Sequence, residues 1–94
     1  MIRVLIERWL RPGAEEAFDR EMRALRREAV HRAGYISGET LRDAADRRHL
    51  LVLSTWRSRE DWEAWRGSSA RADIDARIMP CLAQPERFIV LDPV

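Results

Sequence analysis

Three tryptophans, Trp56, Trp62 and Trp65, fall within ten residues of one another in the stretch STWRSREDWEAW (54–65). The rest of the stretch is charged or small, so these indoles either pack a core or wall a pocket. Trp62 and Trp65 are three apart and share neighbouring parts of one helix face, while Trp56 ends the strand that feeds the helix. Arg8 follows Ile2, Val4 and Ile6 at alternate positions, which points a permanently charged guanidinium the same way as apolar side chains. Such an arginine either snorkels outward with its stem packed or stands at a pocket rim, where it can hold a phenolate or enolate oxygen. Of the two histidines, His31 falls in the last turn of a helix, where a cation is favoured at the surface. His49 opens a strand and titrates in the range of a general base. Tyr35, directly after Gly34, belongs to the core or to a pocket rim.

The elements that must carry these residues are legible from periodicity. Residues 2–10 alternate as a strand, broken by RPG (11–13). A helix is predicted from Ala14 to Arg32, with Phe18, Met22, Leu25 and Ala29 in one stripe, acidic residues in its first turn and Gly34 as its cap. YISGETLRD (35–43) predicts a second strand, AADRR a polar hairpin connection, and HLLVLSTW (49–56) a third strand, apolar on both faces. Ser58 has N-cap spacing to Asp61, and Gly67 with Ser68–Ser69 marks a break and a fresh start. Ile74, Ile78 and Leu82 follow at helical spacing, and Pro80 demands a kink or restart. RFIVLD (87–92) is the last strand. The order β-α-β-β-α-β predicts an α+β, ferredoxin-like sandwich with strands 1 and 3 central in an antiparallel sheet. Helices cover only one face of such a sheet. Strands apolar on both faces therefore predict a homodimer, sheet against sheet.

Composition narrows the function classes. Ninety-four residues make one domain, 1–94, and 46% hydrophobic with 35% charged residues fit a folded chain rather than a disordered one. The longest apolar run, LLVL (50–53), is too short to span a bilayer, and the alternating N-terminus lacks a leader pattern; both suggest a mature cytoplasmic protein with no membrane contact. A lone Cys81 agrees with a reducing compartment and with a small core residue. Every basic residue is an arginine, yet 17 basic against 16 acidic residues leave a net charge of +1. The stripe Arg20, Arg23 and Arg27 is interrupted by Glu16, Asp19 and Glu28, so it reads as a solvated face rather than a nucleic-acid surface. Neither a phosphate loop nor a dinucleotide fingerprint nor clustered metal ligands occur; no metal, flavin or nicotinamide cofactor is expected.

With that element order, IERWLRPGAEEAF (6–18), GYISGETLRD (34–43), LVLSTWRSREDWEAWRGS (51–68) and PCLAQPERFIVLD (80–92) resemble the antibiotic biosynthesis monooxygenase family of dimeric α/β barrels. The third stretch matches the family signature W-x-S-x-x-x-(aromatic)-x-x-W. The resemblance implies a cofactor-independent monooxygenase that oxidises a phenolic, quinol or polycyclic aromatic substrate with dioxygen. Trp65 matches the family tryptophan that lines the cavity between helices and sheet, with Trp56 and Trp62 building its wall and Tyr35 a lesser contact. Arg8 would stabilise the anion, and His49 or Asp75 would act as base. Asp75 falls ten residues after Trp65, where haem-degrading relatives carry an iron-ligating histidine, and asparagine, which those relatives use near position 8, is absent from the chain. A carboxylate is a poor axial ligand, so haem degradation ranks third. The alternative of another class is a non-catalytic dimeric barrel that binds a small molecule or serves in stress response.

Overall fold

The computed structural model describes residues 1–94. Four strands, β1 (Ile2–Trp9), β2 (Tyr35–Asp43), β3 (Asp46–Trp56) and β4 (Arg87–Leu91), form one antiparallel sheet in the order β2-β3-β1-β4. Three α-helices, α1 (Glu15–Ala29), α2 (Arg59–Arg66) and α3 (Ser69–Ile78), complete it, followed by a short 3₁₀ turn at Met79–Cys81. This is the ferredoxin-like α+β arrangement, with β1 and β3 central as their two-sided apolar pattern requires.

Strand parity builds the two faces. Ile2, Val4, Ile6, Arg8 and Leu10 point under the helices, as do Leu50, Ser54 and Trp56 from β3. Helix α1 closes over them with Phe18, Met22, Leu25 and Ala29, the stripe set by its 3.6-residue period. Helix α1 ends at Ala29, earlier than the expected Arg32, and a turn carries the chain to Gly34. Gly34 has φ +82°, and a side chain there would run into that of Asp61, so this glycine turns the chain into β2 rather than capping the helix.

Ser58 caps α2 by accepting the Asp61 N–H at 3.2 Å, and Ser68 caps α3 by accepting the Arg71 N–H at 3.2 Å. Pro80 stops α3 at Ile78 and moves the chain into the 3₁₀ turn. The connection between β2 and β3 is tighter than the five residues expected: only Ala44 and Ala45 form the turn, because the Asp43 carboxylate accepts the Ala45 N–H at 2.8 Å.

Candidate functional site

A cavity of about 160 Å³ opens between α1, the α2–α3 pair and the β2–β3 side of the sheet. Its sheet wall is Ile6, Val52, Ser54 and Trp56, the inward positions of adjacent strands. Met22, Leu25 and Ala29 of α1 form the opposite wall, one per helical turn or less. Tyr35, Gly38 and Thr40 come from β2; Gly38 faces inward opposite Ser54, and a Cβ there would stand 2.8 Å from the Tyr35 hydroxyl. Glycine at that position thus makes room for the tyrosine. At the exposed edge, the Arg26 guanidinium reaches Thr40 Oγ1 at 3.5 Å, joining α1 to β2 across the mouth.

All three tryptophans of the 54–65 stretch line this cavity and all three are buried, so core and pocket are here the same surface. Tyr35 stands edge-on to Trp56 at 5.3 Å, and Trp56 edge-on to Trp62 at 5.8 Å, the arrangement that aromatic quadrupoles favour. Their N–H groups differ. Trp56 Nε1 donates to Ser54 Oγ at 3.1 Å, whereas Trp62 Nε1 is buried with no acceptor.

The buried cation of the cavity is Arg71, a residue outside those expected from the sequence. It is 1% exposed and lies with its guanidinium carbon 5.7 Å from the Trp62 ring centroid and 5.6 Å from that of Trp65. Its Nε donates to Asp75 Oδ1 at 3.0 Å, and its Nη2 has no partner. The signal was present in the sequence: Arg71 precedes Ile74 and Ile78 by three and seven residues, on the buried stripe of α3.

The remaining expected site residues lie elsewhere. Arg8 is neither at a rim nor in the cavity wall; it is buried behind Met22, with Nη1 3.6 Å from the Met22 sulfur and Nε 2.7 Å from Glu86 Oε2. Burial holds its pKa below the usual arginine value, opposed by the Glu86 carboxylate and with Arg71 adding a further downward push. Asp75 does not line the cavity and touches it only through Arg71. His49 is not brought to the cavity, because its odd position on β3 places it on the opposite face of the sheet. There it stacks on Trp9 at 4.9 Å and bridges two carboxylates, Asp43 through Nδ1 and Glu7 through Nε2, both at 2.9 Å. The hydrogen bond to Asp43 raises the His49 pKa above 6.5, and the same bond lowers that of Asp43 below 3.8.

A helix-covered antiparallel sheet with an indole-walled cavity between its layers defines a small α+β domain. The chain belongs to the antibiotic biosynthesis monooxygenase family, whose model matches residues 1–77. The closing segment 80–92 falls outside that match and is joined to the fold through β4. Among solved structures, the chain is similar to a conserved protein from Methanosarcina mazei, with TM-score 0.94 and 17% identity over 99% of this chain and 92% of that one. It is similar to a protein from Mycobacterium tuberculosis, with TM-score 0.89 and 24% identity over 99% and 94%. It is also similar to SnoaB, a cofactor-independent oxygenase from Streptomyces nogalater, with TM-score 0.87 and 6% identity over 98% and 91%. At such identities the likeness is one of fold. No curated protein matches the chain.

Proposed function

We propose that residues 1–94 work as one cytoplasmic domain, a homodimeric, cofactor-independent monooxygenase that oxidises a phenol or quinol with dioxygen. The observation that carries this reading is the cavity itself: apolar and aromatic walls interrupted by a buried guanidinium whose Nη2 lacks an acceptor and by an indole N–H that lacks one too. A phenolic oxygen placed there accepts from Arg71, and the adjacent cation favours its ionised form. Arg71 takes the anion-stabilising role expected of Arg8, which supports the site from behind Met22. Trp56, Trp62, Trp65 and Tyr35 hold the ring and keep water out. The electron-rich anion reduces dioxygen; one oxygen atom enters the ring and the other leaves as water with two hydrogens from the substrate, which becomes a quinone. That SnoaB, on the same fold, is a cofactor-independent oxygenase supports the reading.

Oxygen uptake is the test, on naphthols and hydroquinones, with chelator and without added flavin or nicotinamide. Dioxygen loss should match quinone formation, and Arg71→Ala should lower kcat by roughly 10²–10³, the range for losing one oxyanion donor. One observation favours the non-catalytic binding barrel instead: neither histidine reaches the cavity, which leaves it without an imidazole base. Saturable binding of the same compounds with no oxygen uptake would decide for that second reading.

A further inference from the structure

Resting on the reading of the cavity as the ligand site, we propose that its ligand is a single-ring aromatic anion, held by Arg71 and by the indole N–H of Trp62. Three observations converge. The cavity measures about 160 Å³, close to the engineered apolar cavity of about 150 Å³ that accepts benzene. It therefore fits one ring with a small substituent more closely than two fused rings.

The unmet hydrogen bonds in its walls are donors. Arg71 Nη2 and Trp62 Nε1 are both buried without acceptors, on residues whose guanidinium carbon and ring centroid are 5.7 Å apart. Buried donors are ordinarily satisfied, so this pair describes a missing acceptor. Ser54 Oγ accepts from Trp56 Nε1 at 3.1 Å, and none of the wall's polar groups, Ser54, Tyr35, Thr40 or Glu39, accepts from Arg71 Nη2 or Trp62 Nε1.

The charge then selects an ionised acceptor over a neutral one. The counter-ion of Arg71, Asp75, is 31% exposed on its side chain and so is screened by solvent, while the guanidinium is 1% exposed. Charge-assisted bonds to guanidinium are about twice as strong as neutral ones. The guanidinium is lodged beside the Trp62 and Trp65 rings, 5.7 and 5.6 Å from their centroids, and tied to Asp75 through Nε, which limits how far the donor can turn to find another partner. The ring substituent is thus a carboxylate or a phenolate.

Anaerobic titrations followed by tryptophan fluorescence and calorimetry test this without turnover, using benzoate, benzamide, 2-naphthoate and 4-nitrophenol. Benzoate should bind at least about 10-fold tighter than isosteric benzamide, and 2-naphthoate more weakly than benzoate. Bound 4-nitrophenol should show the yellow phenolate spectrum at a pH where the free compound is neutral. Arg71→Met should erase the preference for benzoate over benzamide, and Arg23→Met, on the exposed face of α1 outside the cavity, should keep it. Equal binding of benzoate and benzamide, tighter binding of 2-naphthoate, or loss of the preference in Arg23→Met would overturn the assignment; these arms decide even if Arg71→Met does not fold. The outcome separates from that of the oxygenase reading. Oxygen uptake without anion preference sinks this inference alone, and anion preference without uptake sinks only the catalysis.

Discussion

Two buried or half-buried charge clusters lie outside the cavity, and each has a measurable consequence. Arg8 and Glu86 form a pair with unequal burial, 1% against 18% exposed, and Arg8 Nη2 has no partner. Removing the carboxylate strands a buried cation. Glu86→Gln should therefore destabilise the fold by about 2–3 kcal/mol, below the 3–5 kcal/mol of a wholly buried pair because Glu86 touches solvent. Arg8→Met removes the charge and its orphaned N–H together, and should cost less than Glu86→Gln in urea denaturation. A larger cost for Arg8→Met would show that the guanidinium stabilises the core on balance. The His49 cluster is read by pH. Both ring nitrogens can donate only when the imidazole is cationic, so Asp43 and Glu7 hold an imidazolium between them. Because the folded pKa of His49 lies above 6.5, its contribution is complete below pH 6.5 and disappears as pH rises through the raised value. Asp43, held below 3.8, contributes above that pH and fails as pH falls through its lowered value. His49→Gln should lower Tm most between pH 3.8 and 6.5, with the gap from wild type closing in alkali. A gap that stays constant with pH would contradict the imidazolium.

At the scale of elements, the cavity depends on where helices start and how strands turn. Ser58 and Ser68 each spend a hydroxyl on an otherwise unpaired N–H, and they set the two short helices that present Trp62, Trp65 and Arg71. Ser68→Ala should cost about 1 kcal/mol, the usual loss for an N-cap, and should loosen Arg71, whose own N–H is the one accepted. Gly34 joins α1 to β2 at φ +82° beside the Asp61 side chain. Gly34→Ala should destabilise by more than the roughly 1–2 kcal/mol of left-handed backbone alone, since the added methyl also displaces Asp61 from the α2 cap. A double variant with Asp61→Ala should recover only the part of the steric cost due to the carboxylate in thermal melts, because the Asp61 Cβ itself lies 2.5 Å from the added methyl; no recovery would place the whole cost in the backbone and that Cβ.

For the whole molecule, the helices leave one face of the sheet uncovered. Across it run Leu53, Leu5 and Ile89, paired in register on β3, β1 and β4, with Leu51 and the 47%-exposed Leu41 beside them. This is the surface assigned to the proposed dimer, and the His49 cluster borders it. Leu53→Asp should weaken self-association by about 30-fold or more, the cost of one interface hot spot, while far-UV circular dichroism stays unchanged. Wild type that sediments as a monomer at micromolar concentration would remove the dimer from the proposal.

Sequence alone determined the element order, the central place of β1 and β3, both serine caps and the break at Pro80, because each is set by local periodicity, capping chemistry or a missing N–H. It also placed the three tryptophans on neighbouring surfaces, since Trp62 and Trp65 share a helix face. What it did not determine was which charged side chains meet them. The apolar run HLLVLSTW begins at His49, but strand β3 starts at Asp46 and its parity turns the ring to the uncovered face. Arg8 had the right parity, yet Met22 from α1 comes between it and the cavity, a contact 14 residues distant in sequence. Arg71 stood on the apolar stripe of α3 and was legible by spacing; its worth became visible only when two indoles, an ion pair and an orphaned N–H met around it. Local structure follows from neighbours in the chain, whereas a binding site is assembled by packing between elements far apart in it, and only the tertiary structure decides which of its charges are left without partners.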